Sequence, residues 1–113
     1  EEINMVGNIT VVNKKTFKTP EKGKVIDISR PNILGNPFKM ENEDQRELVC
    51  IKFYHYLREE YKKKGQIYDE LIRIKDMVKS GKDIYLECWC APKMCHGDII
   101  KNAILGMLSR EKA

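Results

Sequence analysis

The 113-residue sequence has no apolar run approaching the roughly 20 residues that a bilayer-spanning helix needs, so insertion as a helix is not expected. It has no block of like charge either. Its 21 Lys and Arg are interspersed with 17 Asp and Glu, and the mild net charge of +4 argues against a nucleic-acid footprint. A small anionic ligand stays compatible, because a few placed cations make a positive pocket on a mixed surface. Internal repeats, low-complexity segments and linkers are missing, and no basic leader followed by an apolar stretch opens the chain. Four cysteines are too few and too clustered for a disulfide framework, so a reducing, cytoplasmic setting is expected.

What remains is a chain of one domain, with residues 1–8 read as an extension or expression remnant and 9–110 as the domain. Ile9 to Val12 and Val25 to Ile28 are short β-branched runs that predict strands. Between about Asn42 and Lys64, Leu48, Val49, Phe53, Tyr56, Leu57 and Tyr61 recur at helical spacing, and Lys62-Lys63-Lys64-Gly65 supplies a helix stop. Ile67, Leu71, Ile74 and Val78 predict a second helix ended by Ser80-Gly81. Alternation from Asp83 to Cys90 predicts the strongest strand, and Ile99, Ile100, Ala103, Ile104, Met107 and Leu108 mark a closing helix from His96. The expected fold is a compact α/β domain with a small, mainly parallel sheet and three flanking helices.

Three of the four cysteines and one of two histidines fall between Cys88 and His96, at the turn from that last strand into the last helix. In parallel α/β sheets ligands bind beyond the carboxyl ends of the strands, so this turn is expected to share one pocket with the Arg30–Phe38 loop. Arg30 offers a planar fork for phosphate or carboxylate. Gly35 and Asn36 tolerate the positive φ that aims successive N–H groups into one concavity. Cys95, His96, Gly97 and Asp98 lie at the helix entry, where the dipole favours either an anion or a thiolate.

Rival readings accompany each of these residues. Cys88, Cys90, Cys95 and His96 make a formal zinc set, although Cys88-x-Cys90 on a strand is poor chelating spacing; no metal and no cofactor is the favoured expectation. Cys88 fits a buried apolar role and Trp89 a core role. His55 reads as a partly buried structural histidine, Phe38 as a staple for the long helix, and Lys14, Lys15 and Lys93 as weaker anion contacts than Arg30.

Arg30-Pro31, Gly35-Asn36-Pro37-Phe38 and Cys88-Trp89-Cys90-x-Pro92-x-x-Cys95-His96-Gly97-Asp98 stand in one order over roughly Val11 to Leu108. In this the chain resembles domain-of-unknown-function family 4326, small phage and bacterial proteins with the same three motifs. It is more distantly similar to another α/β family whose last strand enters a turn ending Cys-His-Arg. Here Ile28-Ser29 precedes Arg30 where an Ile-Gly pair is usual. The first resemblance implies a Rossmann-like fold and a frequent phage origin, not an established reaction.

The leading functional expectation is a module that binds a phosphate-bearing small molecule, a nucleotide or nucleotide-derived signal, as a phage-encoded sequestering (anti-defence) protein. Its ligand-binding residues would be Arg30, Gly35, Asn36, Cys95, His96, Gly97 and Asp98, and a homo-oligomer is left open. The alternatives are an enzyme acting on a nucleotide or glycosidic bond, with Cys95 as nucleophile and His96 or Asp98 handling protons, and a zinc-stabilised interaction domain.

Overall fold

A computed structural model describes residues 6–112. It is a small α/β fold with strands β1 (Ile9–Asn13), β2 (Lys24–Asp27) and β3 (Ile84–Cys88), and helices α1 (Arg46–Lys63), α2 (Gln66–Lys79) and α3 (His96–Lys112). The sheet order is β1-β3-β2, and both pairings are parallel, with Val11 opposite Leu86 and Ile26 opposite the same residue. The last strand in the chain is therefore the central one.

Burial follows the strand period. Ile84, Leu86 and Cys88 are buried while Tyr85 and Glu87 between them are half-exposed. The three helices contact one another pairwise and gather over the buried face, where Phe53, Leu71, Ile74, Val78, Ile100 and Ile104 complete the core. The connection from β1 to β2 must pass β3 without a helix. It places Phe17 on Tyr85 with ring centroids 5.0 Å apart, and Gly23, at φ 99°, lies where a Cβ would fall 2.8 Å from the Asp83 carbonyl oxygen.

The long helix begins where its signals stand. Asn42 accepts a hydrogen bond from the Asp44 N–H at 3.0 Å and caps a 3-10 turn, Glu43–Gln45, that leads into α1. Its other end departs from expectation: Lys64, not Gly65, takes the left-handed conformation at φ 56°. Gly65 instead precedes the first residue of α2, so two helices meet with only two residues between them.

Three side chains lie elsewhere than their neighbours predict. Trp89 is 61% exposed, because β3 ends at Cys88 and the chain bends before the alternation reaches Trp89 and Cys90. His55 is exposed on α1, on the face away from Phe53 and Leu57, and Leu48 is likewise exposed. Of the expected extension, residues 1–5 lie outside the described residues. Gly7 and Asn8, by contrast, are tied into the fold: the Gly7 N–H donates to the Val78 carbonyl at 2.8 Å and the Asn8 N–H to the Asp83 carboxylate at 2.9 Å.

Candidate functional site

Because β2 and β3 run parallel side by side, the segments that follow them emerge at one edge. The contact is direct: His96 Nε2 lies 2.7 Å from the Ile28 carbonyl oxygen. A cavity of about 200 Å³ opens between the two segments, lined by Ser29, Arg30, Asn36, Phe38 and Met40 from one side and Cys88 to Cys90 and Met94 to His96 from the other. The start of α1 closes it with Arg46, Val49 and Cys50. All four cysteines of the chain thus border one cavity.

His96 is the first residue of α3, and its ring is buried edge-on against Phe53, with centroids 5.1 Å apart. A carbonyl only accepts, so Nε2 carries the proton and the neutral ring has its lone pair at Nδ1. Burial holds the imidazole pKa below its ordinary value, and the nearby Arg30 cation acts in the same direction.

The entry to α3 is capped by its own side chains. Cys95 Sγ accepts from the Gly97 N–H at 3.3 Å, where an N-cap hydroxyl would, and Asp98 reaches back to accept from the Cys95 N–H at 3.1 Å. The amides expected to meet an anion are in this way already engaged. Gly97 serves packing: a Cβ there would sit 2.8 Å from Val11 Cγ1 and 3.0 Å from Ile28 Cδ1. Gly97 and Asp98 set up the cavity wall without lining it.

Gly35 and Asn36 do not adopt positive φ; among the described residues that conformation belongs to Gly23, Lys64 and Gly81. Gly35 lets the loop fold back onto itself, since a Cβ would come within 3.0 Å of the Arg30 backbone. Asn36 is buried, accepting from the Phe38 N–H at 2.9 Å and donating to the Val49 carbonyl at 3.5 Å. Arg30 donates through Nη1 to the Asn36 carbonyl at 2.7 Å, and among the described residues no carboxylate pairs with it. Phe38 packs edge-on against Tyr56 of α1, as a staple would.

Arg46 escaped the sequence reading because it stands in an ordinary amphipathic helix, 16 positions from Arg30. Its guanidinium grips Glu43 through two nitrogens at 2.8 and 2.9 Å and donates to the Met94 carbonyl at 2.9 Å, tying α1 to the cysteine turn. Glu43 foremost, and then Cys90, raise its pKa. Lys93 reaches Glu43 at 3.4 Å. Lys14 pairs with Asp27 at 2.5 Å, and its ammonium also lies 5.3 Å from the Trp89 ring centroid.

The sulfurs of Cys88 and Cys95 are 3.1 Å apart. Either sulfur can donate across this contact; the hydrogen bond with Cys95 foremost, helped by the backbone amides of Cys90 and Ala91, brings Cys88 down to about 6 although burial opposes ionisation. Cys95, holding the shared proton, is pushed up, and burial pushes Cys50 up. Among the described residues no three His, Cys, Asp or Glu side chains converge as a metal site, so Cys88, Cys90, Cys95 and His96 are not gathered as a zinc set.

Fold and site together define a parallel α/β domain with a cysteine-lined cavity at the carboxyl edge of its sheet. The chain belongs to the family described as a domain of unknown function (DUF4326), whose model matches residues 11–106. No curated protein and no solved structure matches it. Among the described residues no helix is long and apolar enough to cross a membrane.

Proposed function

We propose that the cavity binds a nucleotide or nucleotide-derived molecule, its phosphate against Arg30 and its base against Trp89. The observation that carries this reading is that one cavity edge joins an arginine that pairs with no carboxylate among the described residues to an exposed indole. A volume of about 200 Å³ is below the ~300 Å³ lower end of ordinary ligand pockets, so a charged end enters and the remainder lies across the rim. A base stacked on an aromatic ring contributes roughly 1–3 kcal/mol and needs no sequence readout. Asn36 and His96 act by shaping the wall, and Gly35, Gly97 and Asp98 by holding the two loops in register.

Trp89 is the one tryptophan of the chain, so its fluorescence reports on this edge alone. Titration with nucleoside mono- and diphosphates is expected to quench it saturably, while inorganic phosphate leaves it unchanged. Arg30→Ala is expected to weaken binding at least about tenfold, the loss of one charged hydrogen bond. If no nucleotide changes the fluorescence or the melting temperature, the reading fails. Ligand recovered intact after denaturation of the complex supports capture, the sequestering role, over turnover.

The second reading, an enzyme with a thiol nucleophile, is favoured by the ease with which Cys88 ionises in the same cavity. Cys88 takes the attacking role there and Cys95 serves as its proton partner. Conversion of a bound nucleotide that is abolished by Cys88→Ser would select it.

A further inference from the structure

Nucleotide capture leaves the sulfur chemistry of the cavity unused. Of the four cysteines, Cys88 and Cys95 alone are in mutual contact, one at the end of β3 and the other at the N-cap of α3. About 1 Å separates their 3.1 Å spacing from the ~2.05 Å of a disulfide bond. Both side chains are nearly enclosed, at 1% and 3% exposure, and their route to solvent is the small cavity.

We propose that Cys88 and Cys95 form a reversible thiol–disulfide couple oxidised by hydrogen peroxide that enters this cavity. The proposal does not rest on nucleotide binding. Cavity size selects the oxidant: a molecule near the size of water reaches the sulfurs, whereas a bulky organic disulfide has no room to align its S–S bond with Cys88. Cys88 ends β3 with the Cys95 sulfur 3.1 Å away, and the hydrogen bond between them favours Cys88 as the thiolate and so as the attacking atom.

In the first step Cys88 Sγ attacks one peroxide oxygen. An S–O bond forms, the O–O bond breaks, and the departing hydroxide takes up the proton that Cys88 released, leaving as water. In the second step Cys95 Sγ attacks the Cys88 sulfur of the resulting sulfenic acid; the S–S bond forms, the S–O bond breaks, and the Cys95 proton leaves with the hydroxyl as a second water. Two thiols are oxidised by two electrons and one peroxide is reduced to two waters.

The test uses the whole chain, fully reduced and freed of reductant, exposed to hydrogen peroxide near pH 7 and then alkylated under denaturing conditions. The alkylatable thiols are expected to fall from four to two, and dithiothreitol to restore them. Trypsin cuts after Lys93 and so separates the two partners. A disulfide-linked pair of peptides, one beginning at Asp83 and the other at Met94, is expected in the parent chain and in Cys90→Ser alike. In Cys95→Ser the reaction is expected to stop at a sulfenic acid on Cys88 that dimedone traps. Four thiols persisting in the parent chain would overturn the proposal, as would a linkage lost in Cys90→Ser or mapped to Cys50. Each of these readouts in the parent chain and Cys90→Ser stands whether or not Cys95→Ser folds.

Discussion

At the scale of single residues, His96 links the two halves of the site through one hydrogen bond, and its burial gives that link a pH dependence. The fold favours the neutral ring, so the folded-state pKa lies below the ordinary value near 6.5. The stability this contributes is complete above about pH 6.5 and is lost as pH falls from there toward the folded value. In His96→Gln, which keeps a donor for Ile28, melting temperature is expected to fall less between pH 7.5 and 5.5 than in the parent chain; equal slopes would contradict the assignment. The expected parallel sheet made Arg30, Asn36, Cys95 and His96 legible as neighbours, because segments leaving parallel strands emerge on one edge. Arg46 and Cys50 stayed hidden, since a helical sequence pattern says which face is buried and not which loop it faces. Trp89 was misleading for a local reason: an alternating pattern carries no mark of where its strand stops.

Among the elements, the join between α1 and α2 holds the clearest conflict between sequence and conformation. A left-handed backbone costs a side-chain-bearing residue about 1–2 kcal/mol relative to glycine, and Lys64 occupies that conformation, exposed, with glycine one position too late. Lys64→Gly is therefore expected to stabilise the protein by about 1 kcal/mol, read as a shift in the urea midpoint without a change in slope. The run of three lysines and a glycine announced the stop; which residue would turn was decided by the start of α2. Strand and helix positions were otherwise plain from periodicity, because half-buried elements must repeat their apolar residues at the period of their own geometry. The packing of α2 on α3 adds a feature no periodicity reveals. Lys75 is buried on α2, and its ammonium meets Glu111 of α3 at 2.5 Å, with Lys79 sharing the same carboxylate.

For the molecule as a whole, the parallel sheet was foreseeable from strands separated by helices, but its order was not, since nothing in β1 or β2 names its neighbour. Each pairs with β3 and neither with the other, so the sheet exists only when the third strand has joined. A fragment ending at residue 82 is expected to lack stable strand structure by circular dichroism and to be cut readily by protease; a cooperative melt in that fragment would contradict the topology. This order has a consequence for synthesis. Until β3 has been synthesised, two unsatisfied strand edges and the apolar faces of α1 and α2 wait in the nascent chain, and the keystone that engages them carries the cysteine turn out directly behind it.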